Sequence, residues 1–257
     1  MKKSILSRVP QPGLMLALVA YGVVACAPPA AISRDGPREV RQIVTFLFQP
    51  GRADSALHIY ERQLLPLYQG NSAMLRFRGY REAESPEPLD LVVVSAFTGM
   101  AGMDASNAAL RTMSSGGNSV FQWYGALSGL AQWHHDQFAE MIFATRDTSA
   151  ASESPAHLTV MEYVRVRPGS RARYESLVGA ELQRLEGNHA LVRWSETGRL
   201  VVSDGWDYVR FLGIDSLGEW GAYQRAVRAS SAAAALDEVV VARKTIILRN
   251  APSMSVR

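Results

Sequence analysis

The side chains able to do chemistry are few. The chain has five histidines, one cysteine and, beyond residue 3, a single lysine. His58, His134, His135, His157 and His189 include no HxxxH pair. A catalytic zinc takes about three protein ligands and a water, so no metal site is expected. His134 and His135 are adjacent, and their side chains should diverge rather than grip one ion. Haem asks for only one well-placed axial histidine, so it stays open as a cofactor, with His58, His134 and His135 the first to test. Tyr60 is a further acid/base candidate. Arg76 in MLRF and Arg193 in LVRW each sit among apolar residues. Such an arginine could fix an anionic or carbonyl group, or pair with Asp90 or Asp207 on a neighbouring strand. Trp123, Tyr124 and Trp133, together with Trp194, could line a pocket for a planar, mostly apolar ligand, although aromatics at these spacings also serve as core. No GxGxxG, phosphate-loop lysine, GxSxG or HExxH motif occurs, which disfavours nucleotide-dependent and common hydrolase chemistry.

The cysteine is Cys26, in the stretch GVVACAP. Ahead of it stand a basic start (Lys2, Lys3, Arg8) and an apolar run from Leu14 to Ala25. That run is too short to span a bilayer core of ~30 Å and has the form of an export signal. Val23-Val24-Ala25-Cys26 resembles a bacterial lipobox, which implies a signal over residues 1–25, acylation of Cys26 and attachment to the lipid bilayer. Several acyl chains anchor firmly, at ~0.8 kcal/mol per buried CH₂. Ala27 follows, and in Gram-negative lipoproteins a residue other than Asp there directs the protein to the outer membrane, so its periplasmic face is the expected location. Cleavage removes three basic residues and no acid, leaving 24 basic against 24 acidic residues where the whole chain has 27 against 24. The basicity belongs to the signal, and no nucleic-acid partner is expected.

These residues must be positioned by the remaining chain, in which residues 26–39 form a Pro/Ala-rich tether. IVTFLFQPGRADSALHIYERQLLPLY (43–68) is echoed by MEYVRVRPGSRARYESLVGAELQRL (161–185), with Pro50-Gly51 matching Pro168-Gly169 at an offset of 118. DLVVVSAF (90–97) matches DYVRFLGI (207–214) at offset 117, and MLRF matches LVRW at the same offset, which places Arg76 with Arg193. Each copy reads strand, helix, strand, strand, helix, strand. Leu57, Tyr60, Leu64 and Leu67, like Tyr174, Val178 and Leu182, step at helical spacing. Asp54 or Ser55, and Ser170, are candidate helix N-caps, Ser216 and Glu219 form a capping box, and Pro66 should kink or shorten its helix. The boundaries are 40–147 for the first copy, 148–156 for a linker, 157–250 for the second copy and 251–257 for a tail. An insertion near 118–135 is specific to the first copy, extending its second helix or adding a lid.

The βαββαβ order, the first strands ending in Pro-Gly, and the segments RPG (167–169), DYVRFLGI leading into DSLGEW, and VVVARKTIILRN resemble the dimeric α/β-barrel superfamily. Within it the second copy is most similar to the NIPSNAP and antibiotic-biosynthesis-monooxygenase-type domains. The resemblance implies an α+β fold in which two ferredoxin-like repeats form an intrachain pseudo-dimeric barrel. It implies a pocket between sheet and helices, and a range of roles that includes cofactor-free and haem-dependent oxygenases. The sequence therefore leads to an envelope lipoprotein binding a small, mostly apolar molecule. An oxygenase-like enzyme and an envelope protein-interaction module are the alternatives.

Overall fold

The computed structural model describes residues 38–146, 156–182, 184 and 191–256. The signal, Cys26, most of the tether and linker, and His189 lie outside the described residues.

Eight strands close into an antiparallel barrel. In chain order the elements are β1 (Glu39–Phe48), α1 (Ala53–Ile59), a π-helical turn (Tyr60–Leu64) and α2 (Leu65–Gly70). Next come β2 (Met74–Glu84), β3 (Leu91–Thr98), α3 (Gly99–Leu110), the two-residue strands β4 (Ser114–Ser115) and β5 (Asn118–Ser119), α4 (Val120–Leu130) and β6 (Ala131–Arg146). The rest is β7 (Leu158–Val166), α5 (Arg171–Leu177), a second π-helical turn (Val178–Leu182), β8 (Trp194–Val202), β9 (Tyr208–Ile214), α6 (Leu217–Arg228), α7 (Ala232–Val239) and β10 (Val240–Val256). Around the barrel the order is β1-β3-β2-β10-β7-β9-β8-β6, so both halves run fourth, first, third, second. The halves join through β2–β10 and β6–β8. The final strand absorbs residues 251–256, with Ala251 opposite Gly79 and Val256 opposite Phe77.

Local chemistry explains why corresponding segments fold alike. Gly51 and Gly169 sit at φ +75° and +81°, the left-handed conformation that a Pro-Gly type II turn needs. The turns close through Arg52 N to Gln49 O and Ser170 N to Arg167 O, both 2.9 Å. Asp90 then accepts from Phe48 N at 2.7 Å, and Asp207 from Val166 N at 2.9 Å. These carboxylates tie the third strand of each half to the end of the first, and neither takes the arginine foreseen for it. The first helices begin without side-chain caps, from Arg52 and Ser170. The π-helical turn runs directly into α2, and the helix continues through Pro66 to Gly70 rather than ending at the proline. The π-helical turn before it recurs in the second half, so proline is not its cause.

Alternation along the strands makes two kinds of core. Ile43, Tyr80, Val92, Tyr163, Val209, Phe211, Ile246 and Leu248 point into the barrel. Phe46, Phe48, Phe77, Leu91, Val93 and Phe97 face the first half's helices, and Val160, Val164, Tyr208, Leu212 and Ile214 face those of the second half. Arg41 seals one end of the barrel, bonding Glu196 at 2.6 Å and Glu39 at 2.8 Å and lying over Phe211. Burial opposes its charge, but Glu196 and Glu39 hold its pKa above the usual arginine value.

Candidate functional site

The insertion builds one wall of a cavity in the first half. Residues 114–119 form a small hairpin, after which Ser119 caps α4, accepting from Gln122 N while Gln122 Oε1 accepts from Ser119 N. Trp123 Nε1 donates to Ser115 O at 3.0 Å, and Ser115 bonds Gln63 on the π-helical turn. Trp123 thus holds the insertion together, while Tyr124 reaches inward to share a 2.9 Å hydrogen bond with the Tyr68 hydroxyl.

Beneath α4 lies a cavity of about 250 Å³ between helices and sheet. Its floor is aromatic: Tyr68 packs 4.7 Å from Phe77, and Phe46 meets Tyr60 edge-on at 6.0 Å. Val44, Val93, Leu110 and Leu127 add apolar surface, and Ser95, Ser106 and Asn107 give scattered polar atoms. At the rim, Gln42 donates to Asp136 at 2.8 Å. His134 stacks on Phe46 and turns Nε2 toward Asp136 at 3.6 Å.

Three phenols face this space. Burial raises the pKa of Tyr60 and Tyr68 well above 10, helped for both by Tyr124. Burial also raises Tyr124, against a lowering by its bond to Tyr68. All three are therefore neutral hydroxyl groups at ordinary pH. His134 and the carboxylate of Asp136 are the titratable groups that border the cavity besides the phenols.

The second half places larger side chains at the matching positions. Val44 stands opposite Val93 across β1 and β3, and Glu162 stands opposite Arg210 across β7 and β9. Arg210 bonds Glu162 at 2.8 Å and Tyr223 at 3.0 Å, and both members of the ion pair are buried. Tyr223 sits in α6 where the burial phase of α3 places Ser106. Tyr174 and Tyr208 pack at 4.6 Å alongside.

The remaining candidates are dispersed. His58 is exposed on α1 and borders no cavity, and His157 is exposed ahead of β7. His135, one residue from His134, faces the barrel interior, as does Trp133. The two histidines do diverge, because neighbours on a strand point to opposite faces. Trp194 packs inside the barrel over Gly213 and under Arg78. Arg76 bonds Glu39 at 2.5 Å, and Arg193 bonds Asp215. The two arginines are not equivalent. Arg76 stands opposite Ala96, while the residue opposite Gly213, at the matching place on β9, is Trp194. An irregularity between Met74 and Arg76 shifts the register, and a one-residue shift exchanges the faces of a strand. Sequence reasoning missed Gln42, Tyr68, Asp136 and the Glu162–Arg210 pair; opposite charges within otherwise apolar strands were the available signal for the last.

No protein-family model and no curated protein sequence matches the chain. Solved structures do. A candidate monooxygenase from Lactobacillus acidophilus superposes with a TM-score of 0.60 at 9% identity, over 85% of this chain and 98% of that one. An anthrone oxidase-like protein gives 0.60 at 11% identity, over 86% and 94%. The chain has the ferredoxin-like, dimeric α/β-barrel fold. Chlorite dismutase from Candidatus Nitrospira defluvii shares it with a TM-score of 0.54 at 9% identity, over 85% of this chain and 93% of that one. At such identities the likeness is one of fold, and fold alone does not assign chemistry.

The cavity under α4 does not suit haem. About 250 Å³ lies below the ~300–1,000 Å³ of ordinary ligand pockets, before a macrocycle as large as haem is considered. The one histidine at this cavity directs Nε2 to Asp136. Among the described residues no group of three or more His, Cys, Asp or Glu is placed to hold a metal ion.

Proposed function

We propose that this protein is a lipid-anchored envelope protein, tethered through acylated Cys26 at the periplasmic face of the outer membrane. Its barrel is a pseudo-dimer of two ferredoxin-like copies. The cavity under α4 binds a small, neutral, planar and mostly apolar molecule. The observation that carries this reading is the contrast at equivalent positions: Glu162, Arg210 and Tyr223 fill the second half, where Val44, Val93 and Ser106 leave space in the first. Aromatic walls with neutral hydroxyls match a flat ligand bearing one hydroxyl or carbonyl oxygen. Native mass spectrometry of the protein beginning at Ala27 tests it. A small mass lost on denaturation is the expected result, and a bare chain that also takes up no added anthrone would overturn it.

A second reading has its own support in His134 and its partner Asp136, and in the oxygenase-type names among proteins of the same fold. Here His134 takes a proton from an activated CH₂ group beside the ligand's carbonyl or rings. The carbanion adds O₂, the peroxide recovers the proton from His134, and loss of water leaves a new carbonyl. One oxygen atom ends in product and one in water, with no metal in the balance. Oxygen uptake with anthrone, lost in His134→Ala while binding persists, would favour this reading; uptake unchanged by that substitution would remove His134 from it.

Cleavage and anchoring are separate questions. Cys26→Ser should leave the precursor uncleaved or release the protein from membranes. Unchanged mass and fractionation would contradict acylation.

A further inference from the structure

The barrel interior holds a second and larger cavity, of about 500 Å³. It occupies the end opposite the Arg41–Glu196 seal, so it opens at the far end of β1 from the point where the tether joins. None of its lining is shared with the cavity under α4.

Its walls differ in kind from those of the first cavity. Tyr163 and Trp206 lie 5.9 Å apart, with Trp133 also lining the space. Arg165 covers the Trp206 ring at 5.2 Å. Deeper in, the Tyr163 hydroxyl donates to Gln137 Oε1 at 2.5 Å, and both side chains are more than nine-tenths buried. Among the described residues no protein acceptor takes a hydrogen bond from Gln137 Nε2, an amide donor on the cavity lining. At the mouth, Lys244 pairs with Glu87 from the β2–β3 hairpin, and His135 Nδ1 meets Asp204 from the β8–β9 hairpin at 2.5 Å. Lys244 Nζ is the cation at this opening that an entering anion could take over from exposed Glu87.

We infer that the barrel lumen is a binding site for a planar aromatic acid that carries a second oxygen acceptor. The ring system lies against Trp206 and Tyr163, the carboxylate replaces Glu87 on Lys244, and the second oxygen accepts from Gln137 Nε2. The openings differ: the cavity under α4 has the His134–Asp136 pair at its rim, and the lumen has Lys244–Glu87 and His135–Asp204 at its mouth, so only the lumen presents an ammonium. The volume falls within the range of small-molecule pockets.

The probe is 6-hydroxy-2-naphthoate, titrated calorimetrically and by tryptophan fluorescence into the protein beginning at Ala27. Saturable 1:1 binding is expected. Lys244→Met should weaken it about ten-fold, the loss expected when a charge-assisted hydrogen bond is removed. Gln137→Leu should weaken it similarly, and Trp206→Phe should remove most of the fluorescence change. The double substitution Val44→Glu/Val93→Arg, which loads the other cavity, should leave it intact. Thermal melts with each variant identify any that has lost its fold, and Lys244→Met, at the partly exposed mouth, stands if Gln137→Leu does not fold. Absence of saturable binding, or binding abolished by the Val44/Val93 change and indifferent to Lys244→Met, would overturn the assignment.

Discussion

The two halves of this molecule share a strand order, a pair of Pro-Gly turns, a pair of carboxylate ties and a pair of π-helical turns, yet differ in what lies between sheet and helices. In the second half a buried ion pair and a tyrosine occupy the space. In the first, two valines and a serine leave it open and an inserted helix roofs it. The scaffold is therefore compatible with either set of side chains, and three positions carry the difference between the halves.

The largest effect should come from unbalancing the second half's filling. Glu162→Ala strands the buried Arg210 guanidinium and should cost about 3–5 kcal/mol in urea unfolding. Arg210→Val should cost a similar amount by stranding Glu162. Combining Glu162→Val with Arg210→Val copies the first half's pair and should recover much of that loss, because a buried ion pair is often replaceable by apolar residues. A double variant no better than the single ones would show that the pair does more than fill space.

Alkaline pH should act on the buried phenols, those under α4 together with Tyr163 and Tyr208, whose pKa values burial also raises. Tyr60 and Tyr68 have folded pKa values well above the unfolded value of about 10. Their contribution is complete below pH 10 and is lost as pH rises above it, since the unfolded chain releases those protons first. Each should remove up to ~1.4 kcal/mol per pH unit in that window. Unfolding followed by tyrosinate absorbance should show a shallower slope in Tyr60→Phe/Tyr68→Phe, with Tyr124, Tyr163 and Tyr208 supplying what remains.

The turns, by contrast, should respond alike. Nothing lies within 4 Å of a Cβ built at Gly51 or Gly169, so Gly51→Ala and Gly169→Ala report backbone conformation alone, at about 1–2 kcal/mol each. Unequal denaturation midpoints would show that the halves differ in the turns as well. The smallest effect belongs to the roof. A double-mutant cycle of Tyr68→Phe and Tyr124→Phe should give a coupling of about 0.5–1.5 kcal/mol.

Local features were the legible ones. Pro50-Gly51 and Pro168-Gly169 announce their turns because φ > 0 demands a particular residue. Leu57, Tyr60 and Leu64 announce a buried helix face, and Ser216 accepts from Glu219 N as foreseen, although the Glu219 carboxylate accepts from Asp215 N and so closes only half of the capping box. Pairings between distant strands were not legible, since β2–β10 and β6–β8 join segments with no sequence mark of their partnership. Arg76 and Arg193 align in sequence but part by one residue in space. His134 and His135 fall on opposite faces of β6, a strand that begins ten residues before the stretch 141–146 that the sequence marks as its apolar end. The cavity emerges only when Val44, Val93 and Ser106 are seen against Glu162, Arg210 and Tyr223.

The most direct test is a calorimetric titration of 2-naphthol, a neutral flat molecule with one hydroxyl, into the protein beginning at Ala27 and into its Val44→Glu/Val93→Arg variant. The account predicts saturable 1:1 binding to the first and none to the folded variant, whose first half then carries the second half's ion pair. Equal binding to both, or to neither, would contradict it.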